Sequence, residues 1–405
     1  MAPVSSTPSD RRGAAEELLR LLYPPPLSVA AGWQRRSPVA AWLAVPSTRS
    51  PRLLVAGRSS AAATAILRRQ LTGQRLRTRA ARAALSVAVQ SGIPLRLPQL
   101  TISVTGDPGS PSIHDPLCDA LGVSEVDVSL PIGPARANRK PVLQVTDSHG
   151  HVLAFAKVGH HALTRGLVDH EAQALAELAS TPHGHIRPPL ALAHVTWRDL
   201  SLLLLEPLDI PANRLSGAAA RRRMVEVTLD IAGPLDDSRP WSAHPHRTAL
   251  LSGLSECGSH RERVRHQLEL LSDQTVVSVT DWHGDLNSGN LALVPGPCPV
   301  WDWERFGTGV PLGFDLLHHD LHEMITVGQR PPGQAADMLL STSMTILEPL
   351  GVSREASDLA ARSYLLTLAQ RYLADRQADA GADLGKVETW LLPALEKHSE
   401  RDVAS

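Results

Sequence analysis

Polar and apolar residues alternate along short stretches near the beginning of the chain, which is the period of a β-strand with one buried face. Val39–Val45 and Arg52–Ala56 are short, mainly apolar stretches on either side of a Pro/Ser/Thr-rich turn and predict two strands of a hairpin. Leu97–Val104 returns to the same alternation. Three other stretches repeat their apolar residues with the helical period: residues 14–22, Ala61–Leu71 and Thr78–Gln90. A small α+β unit is therefore predicted for this part of the chain.

A second group of alternating segments follows a polar, Gly/Pro/Ser-rich stretch at residues 106–112. In order, the pattern predicts strands at Val126–Ile132, Pro141–Thr146 and Val152–Val158, a helix at Thr164–Leu178, and strands at Leu190–Thr196 and Leu202–Leu205. Asp, Ser and Gly in the connection at residues 147–150 are typical of a hairpin turn. The β-β-β-α-β-β order predicts a mostly antiparallel sheet with one helix.

The chain changes to helical spacing after Pro207. Helices are predicted at Ala218–Ala232, Pro245–Leu254 and Glu262–Leu271 and from Phe314 to the end, with short strands at Val276–Val279, Leu291–Val294 and Val300–Trp301. The whole pattern predicts an α+β fold in four segments: a disordered tail at 1–13, an N-terminal α+β extension at 14–124, a sheet-rich lobe at 125–208 and a helical lobe at 209–405.

Composition narrows the possible classes of function. The chain has 405 residues, enough for two or three structural units, and its net charge of −1 lacks the basic excess of nucleic-acid-binding proteins. Cys118, Cys257 and Cys298 are widely separated and show no metal-ligand spacing, which indicates a reducing compartment. No apolar run approaches the roughly 18–20 residues that span a bilayer. A cytoplasmic protein without nucleic-acid or membrane partners is therefore expected.

The strongest local signal is the polar segment 283–290, which reads His-Gly-Asp-Leu-Asn-Ser-Gly-Asn and follows a short apolar strand. Phosphoryl transfer requires an oriented hydroxyl, cations on the phosphates and little covalent chemistry from the protein. The Asp285 carboxylate can accept the hydroxyl proton. The oxygens of Asn290 and of Asp302, further along the chain, are hard ligands suited to Mg²⁺. This segment therefore indicates a phosphoryl-transfer centre.

The pattern His-Gly-Asp-x-x-x-x-Asn followed by Asp-Trp-Glu resembles the aminoglycoside phosphotransferase and choline kinase family, which has the protein-kinase-like two-lobed fold. The resemblance implies Asp285 as the catalytic base and Asn290 and Asp302 as magnesium ligands. Gly284 stands where the protein kinase loop has arginine, which favours a small-molecule acceptor. Asp315 resembles the downstream aspartate that braces the catalytic loop in this family.

The same resemblance implies a nucleotide site in the upstream segments. Lys157 is one of only four lysines, lies among apolar residues and would hold the α/β-phosphates. Its alternative is a lysine that extends along the strand to solvent. Glu171 would be the ion-pair partner of Lys157, with Glu177 as the competing candidate. Glu206 and Leu208 lie where backbone groups of the inter-lobe hinge would bind the adenine edge.

The sequence leaves two assignments open: the role of the loop at 132–140 and the role of the charged residues and histidines that follow Asp302. The loop at 132–140 has one glycine and no GxGxxG, so its basic residues could reach the phosphates or face solvent. Glu304, Asp320 and Glu323 could bind a cationic acceptor or be ordinary helix charges. His318 and His322 are spaced i, i+4 and could form a metal site on one helix face.

Taken together, the sequence predicts an ATP- or GTP-dependent O-phosphotransferase that uses Mg²⁺ and acts on a small-molecule hydroxyl. The alternative is a catalytically silent kinase-like protein that binds nucleotide or regulates another protein. Protein kinase activity is disfavoured by Gly284 and by the absence of an Ala-Pro-Glu segment after Asp302.

Overall fold

The computed structural model describes residues 8–32, 39–56, 99–132, 140–379 and 381–404. The strands are β1 Ser28–Ala31, β2 Ala40–Val45, β3 Leu53–Ala56, β4 Thr101–Thr105, β5 Asp127–Pro131, β6 Val142–Thr146, β7 Val152–Gly159, β8 Ile186–Arg187, β9 Ala191–Trp197, β10 Leu200–Leu205, β11 Ser238–Pro240, β12 Val276–Trp282, β13 Cys298–Pro299 and β14 Gly307–Pro311. The helices are α1 Pro8–Leu22, α2 His114–Leu121, α3 Ala162–Ala179, α4 Gly217–Ala232, α5 Pro245–Ser252, α6 Arg261–Glu269, α7 Phe314–Thr326, α8 Pro332–Leu347, α9 Arg354–Ala374 and α10 Leu391–Ala404. Shorter 3₁₀ turns lie at Trp241–Ala243, Gly253–His260, Glu348–Leu350, Asp383–Gly385 and Val387–Thr389. The predicted α+β class is confirmed.

The described residues fall into two compact units. The first contains those up to 132, together with 140–169 and 190–207, and the second contains 170–189 and the described residues from 208 onward. Within the described part of the chain, no helix is both long and apolar enough to cross a bilayer.

The first unit is built on a nine-stranded sheet in the order β1-β4-β2-β3-β5-β6-β7-β10-β9, with antiparallel neighbours throughout. The strands β5, β6, β7, β9 and β10 follow the predicted β-β-β-α-β-β order. The hairpin between β6 and β7 closes where Asp147 Oδ1 accepts the backbone N–H groups of His149 and His151, at 2.9 Å and 2.8 Å. The predicted antiparallel sheet and its hairpin are therefore confirmed.

The N-terminal strands join this sheet rather than forming a sheet of their own. Leu53, Leu54 and Val55 of β3 pair with Pro131, Leu130 and Ser129 of β5. The predicted boundary between residues 124 and 125 consequently falls inside one sheet and inside one compact unit. As a division between separately folding domains, it stays a prediction.

Helices α1 and α2 bury their apolar sides against one face of the sheet. Leu19 and Tyr23 of the α1 end are almost fully buried beside Trp42 of β2. The Tyr23 hydroxyl lies 2.8 Å from His114 Nε2 in α2, and the other ring nitrogen of His114 is 3.2 Å from the Val126 carbonyl oxygen. These hydrogen bonds connect the two helices to the sheet, and they give the buried polar groups of Tyr23 and His114 hydrogen-bond partners.

Several sequence predictions for the N-terminal region need correction. Helix α1 begins at Pro8, inside the predicted disordered tail, and ion pairs of Glu16 with Arg12 and Arg20 at i, i+4 support it. Helix α2 had no counterpart in the pattern. The predicted helices at Ala61–Leu71 and Thr78–Gln90, and most of the loop at 132–140, lie outside the described residues.

The second unit is mainly helical, as predicted. It also contains a three-stranded sheet in the order β11-β12-β14 and a parallel pair of β13 with β8. The predicted strands at 291–294 and 300–301 are wrong, because only one bridge joins Leu291 to Val300. Pro295, Pro297 and Pro299 lack the N–H groups that would extend a ladder between them.

Candidate active site

The polar segment 283–290 begins directly after β12, whose last residue, Trp282, pairs with Gly307 of β14. Asp315, in the first turn of α7, accepts the His283 N–H at 2.8 Å and the Gly284 N–H at 3.2 Å. Burial raises the pKa of Asp315 to about 7, although its two N–H donors act in the opposite direction. The predicted bracing of the loop by Asp315 is therefore confirmed.

His283, at the start of the loop, is held in one tautomer by hydrogen bonds at its two ring nitrogens. Its Nδ1 faces the backbone N–H of Asp285 at 3.2 Å and must therefore accept that hydrogen bond. Its Nε2 lies 3.1 Å from the carbonyl oxygen of Trp301 and must therefore carry the proton. Burial lowers the pKa of His283 to about 4, which keeps this ring neutral near pH 7. The ring thus joins the segment 283–290 to the segment that carries Asp302.

Gly284 is the point at which the backbone leaves no room for a side chain. Its φ is +84°, and a Cβ on it would lie 2.0 Å from the carbonyl oxygen of Arg305. The Gly284 carbonyl accepts a hydrogen bond from Arg371 Nη1 at 2.5 Å, which ties the loop to α9. The arginine of the protein kinase loop could not occupy this position without moving the Arg305 backbone.

Asp285 presents its carboxylate at the surface of this loop and exposes 36% of its side chain. Oδ1 lies 3.0 Å from His318 Nε2, and Oδ2 accepts a hydrogen bond from Asn290 Nδ2 at 2.9 Å. Burial acts to raise the pKa of Asp285, but the His318 hydrogen bond and the Arg371 guanidinium outweigh it and hold the pKa below its usual range. The group is therefore an ionised acceptor that an incoming hydroxyl can reach.

The orientation of Asn290 follows from its hydrogen bonds. Its Nδ2 donates to both the backbone oxygen and Oδ2 of Asp285, each at 2.9 Å. Because both partners are acceptors, the nitrogen must face Asp285 and the amide oxygen must point away from it. The backbone carbonyl of Asn290 also accepts a hydrogen bond from the backbone N–H of Trp301 at 3.0 Å, and Trp301 directly precedes Asp302. The two predicted magnesium ligands thus belong to joined segments.

Asp302 lies beside two other carboxylates in the second unit. One side-chain oxygen from each of Glu171, Asp302 and Glu304 can be chosen so that all three lie within 4.8 Å of one another. Glu171 is fully buried and accepts the Trp303 N–H at 3.2 Å, whereas the competing Glu177 is exposed. Three carboxylates this close repel one another unless protons or a cation offset their charge.

The backbone at Asp302 is unusual, because its φ of +72° is a left-handed conformation that few residues other than glycine adopt. Aspartate is among the residues that tolerate it best, and such conformations are often found at functional sites. The pattern Asp-Trp-Glu identified the residue but could not show this turn of the chain.

Two of the nucleotide-binding candidates, Lys157 and Glu206, lie in the first unit. Lys157 lies on β7 opposite Val142 and Leu203 and is only 7% exposed, so it does not extend to solvent as the alternative required. The backbone N–H of Glu206 donates to the Leu190 carbonyl at 3.0 Å, and its Oε1 accepts the Leu190 N–H at 3.1 Å. The ion pair of Lys157 with Glu171 and the backbone contacts of Glu206 and Leu208 to nucleotide stay predictions.

Sequence reasoning found Asp315 on α7 but missed the contributions of His318 on the same helix and of Tyr364 and Arg371 on α9. His318 was considered only as a metal ligand with His322, but its two nitrogens are hydrogen-bonded to Asp285 and to the Tyr364 hydroxyl at 3.0 Å each. That metal site is therefore not formed. Asp320 is paired with Arg221 at 2.7 Å rather than left for a cationic acceptor. The available signal was that His318 follows Asp315 by three residues, which places both side chains on one side of the helix.

Comparisons with known proteins give no match to a model of a protein family and none to a curated protein. Among solved structures, the chain is similar to a thermostable mutant of aminoglycoside phosphotransferase APH(4)-Ia, at 14% identity, 72% coverage of this chain, 100% of the other and a TM-score of 0.45. It is also similar to spectinomycin phosphotransferase APH(9)-Ia in complex with ADP and spectinomycin, at 12% identity, with 71% of this chain and 95% of the other covered and a TM-score of 0.38. For macrolide 2′-phosphotransferase MphH from Brachybacterium faecium, the identity is 15%, the coverage is 65% of this chain and 90% of the other, and the TM-score is 0.38.

All three are phosphotransferases by name, which is the kind of protein that the motif around Asp285 resembles. With TM-scores below 0.5, these similarities carry no argument about activity.

Proposed function

We propose that this protein is an ATP- or GTP-dependent O-phosphotransferase that acts on the hydroxyl group of a small molecule. The observation that carries the proposal is the Asp285 carboxylate, which is ionised, partly exposed and held by a hydrogen bond at each oxygen. Each oxygen retains a second lone pair that can accept a proton. A carboxylate in this state can orient an acceptor hydroxyl and take up its proton as the bond to phosphorus forms.

In the proposed step, the acceptor oxygen forms a bond to the terminal phosphorus while its proton passes to Asp285. The bond from that phosphorus to its bridging oxygen breaks, and a nucleoside diphosphate leaves with the electron pair. Gly284, braced on both sides by Asp315 and Arg371, keeps the Asp285 backbone in place during this step.

The carboxylates of Asp302, Glu304 and Glu171 fit a magnesium ion by their chemistry, since Mg²⁺ prefers oxygen ligands and offsets their mutual repulsion. Asn290 and Asp302 would hold the ion, with the Asn290 amide oxygen directed away from Asp285. When bound, Mg²⁺ would supply charge neutralisation on the phosphates. For the nucleotide we propose Lys157 on the α/β-phosphates with Glu171 as its partner, and the backbone of Glu206 and Leu208 on the base.

Asp285→Ala tests the proposal. Wild-type protein, Mg·ATP or Mg·GTP and a panel of aminoglycosides, amino alcohols, sugars and nucleosides would be assayed for acceptor phosphorylation and phosphate release. We expect Asp285→Ala to lower the rate by about 10²–10⁴-fold, the usual contribution of a general base. Thermal stabilisation by Mg-nucleotide should survive the change. Asp273→Ala, at an exposed ion pair with Arg247, is the matched control and should keep the wild-type rate.

Two results would contradict the proposal. A wild-type rate in purified Asp285→Ala would remove the assigned base. No turnover and no stabilisation by either nucleotide in the wild-type protein would instead favour the catalytically silent regulatory protein.

A further inference from the structure

We propose that His318 is a positioning residue that fixes the catalytic carboxylate of Asp285, through a buried hydrogen-bond chain that begins at the Tyr364 hydroxyl. This inference rests on the proposed phosphotransferase function. It gives a role to residues of α7 and α9, which lie outside the segment 283–290 and the segment that carries Asp302.

The protonation of this chain follows from the chemistry of its ends. Asp285 is ionised and can only accept, so His318 Nε2, at 3.0 Å from Oδ1, must carry the proton. Tyr364 is fully buried, and burial raises its pKa well above the usual value, so its hydroxyl keeps its proton. That proton can be given to His318 Nδ1 at 3.0 Å, so the hydrogen-bond chain can run from the Tyr364 hydroxyl through the ring to Asp285 with the ring proton on Nε2.

The neighbours of His318 leave its ring little freedom. The residue is 5% exposed, the Tyr364 ring lies edge-on to it at 6.0 Å, and the His322 ring stacks at 6.4 Å. Arg371, on the same helix as Tyr364, holds the Gly284 carbonyl next to Asp285. The donor to Oδ1 is thus placed by two packed helices, whereas the donor to Oδ2, Asn290, belongs to the loop itself.

This difference determines the expected role. Asn290 belongs to the same loop as Asp285, and its two hydrogen bonds to that residue fix the two side chains relative to each other. The His318 N–H is anchored outside the loop, and it therefore fixes the direction in which the remaining lone pairs of Asp285 meet the acceptor. A small misplacement of a catalytic group is sufficient to lower a rate by large factors.

The test compares His318→Ala with His318→Gln in the full-length protein, with Mg·ATP or Mg·GTP and the fastest acceptor of the panel, or water if none is faster. Glutamine carries a side-chain N–H near the position of Nε2, whereas alanine has no donor. We expect kcat to fall about 10–100-fold in His318→Ala and to recover to within about 5-fold of wild type in His318→Gln, with KM for the nucleotide unchanged in both.

His398→Gln is the matched control, because His398 Nε2 contacts Asp358 Oδ1 at 2.7 Å in a similar histidine–aspartate pair between α10 and α9. Its kcat should equal that of wild type. A second readout does not depend on turnover: ring ¹⁵N shifts should show His318 with its proton on Nε2, the signal being assigned by its loss in His318→Gln. Tyr364→Phe should then lower kcat only a few-fold, because Asp285 still selects the same tautomer.

The outcomes separate this inference from the function on which it rests. Wild-type kcat in His318→Ala, with Asp285→Ala inactive, overturns the positioning role and leaves the phosphotransferase standing. A folded His318→Gln as slow as His318→Ala, or a proton on Nδ1, also overturns it. A wild-type rate in Asp285→Ala removes the function and the inference together.

Discussion

Replacing Gly284 by alanine tests whether the backbone at the start of the segment 283–290 excludes a side chain. The new Cβ would lie 2.0 Å from the Arg305 carbonyl oxygen and 2.7 Å from its carbonyl carbon. Gly296→Ala is the matched control, because Gly296 also has a positive φ, +86°, but nothing lies within 4 Å of the position of its Cβ. The pair therefore separates the cost of the backbone conformation from the cost of the contact.

The magnitude follows from these two terms. A left-handed conformation costs a residue with a Cβ about 1–2 kcal/mol, which both variants share. The contact in Gly284→Ala requires the Arg305 backbone to move by about 1 Å, and an overpacked position of this kind costs about 1–3 kcal/mol more. Arg305 resists this movement because its guanidinium is paired with the buried Asp375 carboxylate. The melting temperature should therefore fall about 2–12 °C further in Gly284→Ala than in Gly296→Ala.

Scanning calorimetry of both variants measures this difference, and the phosphate-release assay shows whether Asp285 has moved with the loop. We expect Gly284→Ala to lose activity and Gly296→Ala to keep it. Equal melting temperatures for the two variants would show that the Arg305 contact costs nothing. The absence of arginine at this position would then need another explanation.

Two further changes address the surroundings of the loop. Asp315→Asn should lower the free energy of unfolding by about 1–3 kcal/mol, because one of the two buried N–H groups loses its acceptor. Urea unfolding measures this loss. The control is Asp337→Asn, at an exposed pair with Lys397, and an equal effect in the two variants would contradict the prediction. Burial lowers the pKa of His246 to about 3, so the unfolded state takes up its proton first and stability is lost as the pH falls from about 6.5 towards 3. The destabilisation measured at pH 7 for His246→Gln should therefore shrink in urea midpoints taken towards pH 4, and a constant difference would refute this assignment.

The parts of the fold that the sequence predicted are those encoded locally. Alternating residues and the turn at Asp147 placed β5, β6 and β7, because strand period and turn chemistry act over a few residues. The helix at 14–22 was predicted, but its start at Pro8 was missed because the first residues resemble a polar tail, although the spacing of Glu16 with Arg12 and Arg20 was available as a signal. The joining of β3 to β5 depends on register between distant segments, which no local pattern contains.

The candidate site divides in the same way. Asp285 and Asn290 are close in sequence and could be found from their spacing alone. The placement of Glu171 beside Asp302, and of His318 against Asp285, brings together residues that are far apart in the chain. Their side chains have ordinary structural roles elsewhere in proteins, so only the folded chain shows which of them reach the reacting group.

The pairing of β3 with β5 also sets the order in which this protein can form during synthesis. Strand β3 has no partner on its far side until residues 127–131 have left the ribosome, and β1 must wait for residues 101–105. The N-terminal strands are thus made first but complete their pairing late, and until then their edges can pair with other chains. The interval in which these edges lack their partners therefore ends before the segment 283–290 has been translated.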